Sequence, residues 1–183
     1  RALMAVAVTG ILGFLMHPFV FFGYRLPDMG PVAWFYLIPL ALGTHRHTLK
    51  NKIILAFLSA MIFNYGTFYW VTIAMLKYGG LNFFVSFGVL TLLAVILSLF
   101  FAVFFGFACW INHVVKLPLS LLLPLFLLTK DFILSTFPCN GFPWGIPCYS
   151  QGSWVQFFQW IDHTGPLGLD LLIYSINGLI AAG

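Results

Sequence analysis

Long apolar runs, broken at intervals by short polar or proline- and glycine-rich stretches, dominate this chain. Six runs can be drawn, at 2–17, 31–43, 53–76, 83–112, 118–138 and 166–183. A helix needs about 20 mostly apolar residues to cross the hydrocarbon core of a bilayer. Most of the runs approach or exceed that length, and the second, shorter one must tilt or borrow from its flanks to span. None shows the ten-residue polar/apolar alternation of a membrane β-strand. Helices satisfy their own backbone groups in lipid. The pattern therefore predicts an all-α membrane protein, a polytopic transmembrane bundle of about six helices with residues 1–183 as one unit. The fourth run is apolar all round and is expected to face lipid over much of its surface.

Composition sharpens this reading. Hydrophobic residues make up 62% of the chain, charged residues 7%, and the mean hydropathy is +1.03. A soluble domain carries roughly 25% charged residues, so this chain lacks the polar surface to face water all round. The net charge of +4 does not indicate nucleic acid, because eight scattered basic residues form no continuous patch. It indicates orientation instead, since basic residues in short loops prefer the cytoplasm. With Thr44-His45-Arg46-His47-Thr48-Leu49-Lys50-Asn51-Lys52 inside, five of the Lys and Arg residues (1, 46, 50, 52, 116) fall inside and three (25, 77, 130) outside. There is no Glu, and Asp28, Asp131, Asp162 and Asp170 all fall in or near the outward loops. The first run leads into Pro18 and aromatics rather than a small-residue cleavage site, so it does not read as a signal peptide. The chain starts at Arg1 and stops at Gly183 inside an apolar run, so both ends read as cut.

The richest outward stretch is Phe137-Pro138-Cys139-Asn140-Gly141-Phe142-Pro143-Trp144-Gly145-Ile146-Pro147-Cys148-Tyr149-Ser150-Gln151. Its prolines and glycines forbid a regular helix, and Trp144 and Tyr149 suit a membrane interface. Two readings stand side by side: a lateral entrance for a lipid, or a plain belt of interfacial aromatics. In the third run, Asn64, Thr67 and Thr72 are expected to face other helices, with Gly66 allowing close approach. Lys130-Asp131 interrupts the fifth run, either as a charged contact near a lipid entrance or as an interfacial pair with Lys130 snorkelling outward. The histidines lack zinc-type spacing, so neither a metal nor a cofactor is expected. Cys109 reads as a core residue, whereas Cys139 and Cys148 either pair or stay free on the outward loop.

These residues together resemble the apolipoprotein N-acyltransferase family. Gly141-Phe142-Pro143-Trp144 followed by Tyr149-Ser150-Gln151 is similar to a loop signature of that family. Tyr69-Trp70-Val71-Thr72-Ile73 with Tyr78-Gly79-Gly80 looks like its third-helix motif. His17-Pro18-Phe19 matches the turn after its first helix, and Trp160-Ile161-Asp162-His163-Thr164-Gly165 through Gly168 and Asn177 resembles the approach to its sixth. Asp131 stands near the position of a family Glu in the fifth helix, with no Arg after it, and Pro147-Cys148 replaces the more usual Leu or Gly before Tyr149.

The resemblance implies a fold, an activity and partners. Gly141, Phe142, Pro143, Trp144, Tyr149, Ser150, Gln151, Tyr69, Trp70 and Asp131 become candidate substrate-binding residues. The partners would be a phospholipid acyl donor and a diacylglyceryl-modified apolipoprotein acceptor, bound by a monomer in the bacterial inner membrane with loop 139–165 facing the periplasm. The family's Glu-Lys-Cys triad sits on a nitrilase-like domain expected after Gly183. A chain without Glu cannot supply it, so these residues alone are expected to be inactive and to admit and position lipid. Two readings from other classes are a non-catalytic lipid-binding or assembly protein and a small transporter, which would carry paired charges at mid-membrane.

Overall fold

Helices occupy most of the apolar runs in the computed structural model, which describes residues 1–18, 20–21, 24–25, 27–137 and 141–182, with backbone alone at 20–21, 24–25 and 157. The main helices are α1 (Ala2–Leu15), α2 (Ile38–Thr44), α3 (Leu49–Lys77), α4 (Phe83–Val115) and α5 (Leu119–Thr136). A single turn, α6 (Val155–Phe158), precedes α7 (Ile161–Ala182). Four of them, α3, α4, α5 and α7, are long and apolar enough to cross a membrane. At 1.5 Å per residue the 33 residues of α4 extend about 50 Å, while the 14 of α1 extend about 21 Å.

The termini of these elements follow from local chemistry. Thr48 caps α3 by accepting from the Asn51 N–H, and Asn82 caps α4 by accepting from the Val85 N–H at 3.0 Å. The second apolar run does not form one helix. It opens as a 3-10 turn, Gly30–Trp34, and becomes α-helical only at Ile38, with Pro39 in the first turn. Helix α7 starts five residues before the predicted sixth run and breaks at Gly165 (φ 69°), just before Pro166. Val20–Phe21 and Tyr24–Arg25 pair as a two-residue antiparallel ribbon.

The helices close into a ring. Helix α1 packs on α2 and α3, α3 on α4, α4 on α5, α5 on α7, and α7 back on α2. Between apolar helices in lipid there is little hydrophobic drive, so close packing and interhelical hydrogen bonds hold the ring. At Gly66 a Cβ would come within 2.4 Å of the Phe14 ring, so only glycine lets α1 and α3 approach this closely. Pro124 lacks the N–H that would bond the Ser120 carbonyl four residues back. Gly178 of α7 packs there, where a Cβ would lie 3.0 Å from that oxygen.

Several polar residues of the apolar runs turn inward. Asn64 Nδ2 donates to Ser98 Oγ across α3–α4 at 3.0 Å, as expected of a polar side chain in lipid, and Thr67 and Thr72 carry buried hydroxyls. The outer face of α4 is lined by Leu92, Leu99, Val103 and Phe107, all exposed, which fits its expected contact with lipid.

Candidate functional site

The 141–151 loop folds back onto the bundle instead of projecting away from it. The Phe142 N–H donates to the Leu134 carbonyl at 2.5 Å, turning the chain over the end of α5. Gly141 makes this possible, because it sits at φ 95° and a Cβ there would lie 2.1 Å from the Ser135 carbonyl oxygen. The Phe142 ring then rests 5.5 Å from that of Phe68, and the Trp144 ring 5.9 Å from that of Trp70, so the loop lies against α3.

Helix α7 anchors the far side of the loop. Asp170, Tyr174 and Asn177 stand at i, i+4 and i+7, on one helical face. Asp170 Oδ1 accepts from the Cys148 N–H at 2.7 Å. Tyr174 donates its hydroxyl to Asp131 Oδ2 of α5 at 2.6 Å. Asn177 accepts from the Leu37 N–H and donates to the Ala33 carbonyl, both at 2.9 Å. One stripe of α7 thus ties together the loop, α5 and the irregular 30–37 segment. These three side chains and Asp131 are fully buried, which makes their mutual satisfaction essential. Lys130 Nζ lies 2.5 Å from Asp131 Oδ1, with the Lys130 side chain 12% exposed and that of Asp131 fully buried, so the charge pair packs within the bundle.

Two cavities result. An open groove of about 610 Å³ runs between the end of α1, α3 and the loop, lined by Phe14, His17, Tyr69, Trp70, Trp144 and Tyr149 among others. Beneath it, inside the ring, a cavity of about 50 Å³ is bordered by Thr9, Asn64, Lys130, Asp131, Tyr174 and Trp144. At roughly 10–15 Å³ of probe volume per water, the inner one has room for a few waters and not for a lipid. The groove is wide, aromatic and open to the surroundings, with Trp70 42% exposed, Trp144 61% and Tyr149 41%.

Cys148 is a free thiol, wholly buried. Burial pushes its pKa far above the ordinary range, and the nearby Asp170 and Asp131 carboxylates push it further, so little thiolate forms. Cys139, the other half of the bridge left open by the sequence, lies outside the described residues, as do Pro138 and Asn140.

The structure sorts the candidate residues into groups. Tyr69, Trp70, Pro143, Trp144 and Tyr149 line the groove together. Gly141 and Phe142 shape the loop that forms its wall. Ser150 and Gln151 do not line this groove. The Ser150 hydroxyl donates to the Pro147 carbonyl at 2.6 Å. Gln151 donates to the Gly30 carbonyl at 2.7 Å and accepts from Trp34 Nε1 at 3.1 Å, so its amide is used within the protein. Asp131 borders the inner cavity instead of the groove. Sequence reasoning did not single out Phe14 or His17 as groove residues, nor Asp170 as an anchor. His17 lines the groove together with Gly145, and its ring stands 5.9 Å from that of Phe63, so the end of α1 meets the loop there. The available signal for Asp170 was a carboxylate inside an apolar run, which a place near headgroup depth would explain equally well.

The sequence pattern of the apolipoprotein N-acyltransferase N-terminal domain matches residues 4–179. A protein named apolipoprotein N-acyltransferase, from Geobacter metallireducens, is 33% identical over 176 residues, which cover 96% of this chain and 32% of that relative. The chain therefore spans about a third of the length of the relative it matches.

Proposed function

From the premise that the chain belongs to the apolipoprotein N-acyltransferase N-terminal domain family, we propose that it is the membrane portion of such an enzyme and that its groove admits and positions lipid substrate. The observation carrying this reading is the lateral groove between α1, α3 and the 141–149 loop, whose Trp70, Trp144 and Tyr149 present apolar faces with polar tips at its rim. That combination suits an acyl chain below and a glycerol–phosphate region above.

In the complete polypeptide, a cysteine thiolate outside these residues attacks an ester carbonyl of a phospholipid. The acyl group passes to sulfur as a thioester, and a lysophospholipid leaves. The free amine of a diacylglyceryl-cysteine then attacks the thioester carbonyl, giving an amide and restoring the thiol. The role of the bundle is to hold both lipid substrates at the height where that thiol works. The side bearing the loop would face the periplasm of a bacterial inner membrane, a placement supported by the bias of five Lys and Arg residues to three toward the opposite side.

The test uses the full-length polypeptide with Trp144→Ala and Tyr149→Ala. Each variant should lower thioester formation from phospholipid by roughly tenfold, as expected if about 1.4 kcal/mol of lipid contact is lost, with membrane expression unchanged. Wild-type acylation rates in both variants would remove the groove from the substrate path.

A further inference from the structure

The end of the bundle opposite the loop carries all its charge in one sign. Arg46, Lys50, Lys52 and Lys116 lie in or beside the α2–α3 and α4–α5 connections, with His45, His47 and His113 among them. Among the described residues, no carboxylate side chain balances them there. Asp131 and Asp170 are buried under the loop, Asp28 bonds the Gly30 N–H beside the 3-10 turn, and Asp162 opens α7 at the loop end. Among the described residues, the ion pair is Lys130–Asp131, so none of these basic side chains is paired with an acid.

Two clefts open among these cations. One, of about 780 Å³ between α1 and α2, has His45, Arg46 and His47 on its rim and Met4, Val8 and Leu42 along its wall. The second, of about 310 Å³ between α3 and α4, is bordered by His47, Lys52 and His113. His47 borders both clefts. Met4 is 69% exposed and Leu42 57%, so the apolar wall continues outward from the basic rim. A soluble anion has no use for that wall, and a neutral lipid has no use for the rim. Basic residues over an apolar cleft between membrane helices match an anionic lipid, with headgroup phosphate on the cations and an acyl chain along the wall.

We infer that this end holds an anionic phospholipid of the leaflet opposite the loop, its phosphate between Arg46, His47 and Lys52 and an acyl chain against Met4, Val8 and Leu42. This site is separate from the aromatic groove and independent of acyl transfer. A Lys or Arg near an anionic membrane surface changes affinity by roughly fivefold, so removing two predicts a loss on the order of 10–30-fold.

Native mass spectrometry of the full-length protein, exchanged into micelles with equal phosphatidylglycerol and phosphatidylcholine, reads this directly. The wild type should retain a phosphatidylglycerol adduct at least fivefold over phosphatidylcholine. The Arg46→Gln/Lys52→Gln variant should lose that preference, and Lys77→Gln, a change at the loop end, should keep it. Raising NaCl from about 0.1 to 0.5 M should erase it in the wild type, a readout that needs no variant to fold. Equal retention of the two lipids by wild type overturns the site. So does an equal loss in Lys77→Gln, or displacement of the adduct by millimolar inorganic phosphate, which would mark a simple anion site.

Discussion

Replacing Asp170 with alanine removes the acceptor that holds the Cys148 N–H at 2.7 Å, with both residues fully buried. A buried N–H left without a partner costs about 1–3 kcal/mol, on top of the hydrogen bond lost. Local opening of the 147–151 turn should therefore become easier by about 2–3 kcal/mol, or roughly 30–150-fold in its equilibrium. Global stability should fall by less. Asp170 Oδ2 has no partner, and burying a carboxylate carries its own desolvation cost, which the substitution removes. Asp170→Asn separates the two effects, because its amide oxygen still accepts from Cys148 while the ionisable carboxyl is gone. Hydrogen exchange read by mass spectrometry on a peptide covering 147–151 is the assay, alongside the thermal midpoint in detergent. Protection should collapse in Asp170→Ala and stay within about threefold of wild type in Asp170→Asn, as expected when the hydrogen bond alone survives. Unchanged protection in the alanine variant, or equal loss in both, would refute the anchoring role.

Other substitutions test the remaining contacts. Lys130→Met leaves the Asp131 charge buried with the Tyr174 hydroxyl as its remaining bonded partner, and should destabilise by about 3–5 kcal/mol. Adding Asp131→Leu should recover part of that loss in denaturant unfolding, whereas an additive cycle would mean the pair is not coupled. Gln151→Leu removes the bonds to Gly30 and Trp34 and should cost about 2–4 kcal/mol, read as a lowered thermal midpoint, while a Trp144 truncation leaves the midpoint close to wild type. Gly66→Val drives a Cβ into the Phe14 ring and should cost about 1–3 kcal/mol; a wild-type midpoint would mean α1 and α3 are not held at this distance.

How much of this was legible in the chain differs from residue to residue. The spans α3, α4, α5 and α7 are visible as runs because lipid imposes the same demand on every residue of a helix: apolar surface outward and backbone bonds closed within the segment. The aromatic members of the groove were also legible, since Tyr69, Trp70, Trp144 and Tyr149 are unusual in kind and sit beside turn residues. Gln151 was not. A glutamine next to such a loop looks the same whether it meets a ligand or the Gly30 carbonyl 121 residues away. The same holds for Asp131, whose interior place depends on Tyr174, 43 residues further along.

The sequence by itself determined a helical membrane bundle, its approximate spans, the one-sided basic charge and the aromatic character of one loop, because each follows from local composition and period. Tertiary structure decided the closure of the ring, the inward stripe of Asp170, Tyr174 and Asn177, and which loop side chains face the groove and which hold the loop in place. Those outcomes depend on which buried donor meets which acceptor across the bundle, and hydrogen-bond geometry between distant segments leaves no periodic trace along a chain.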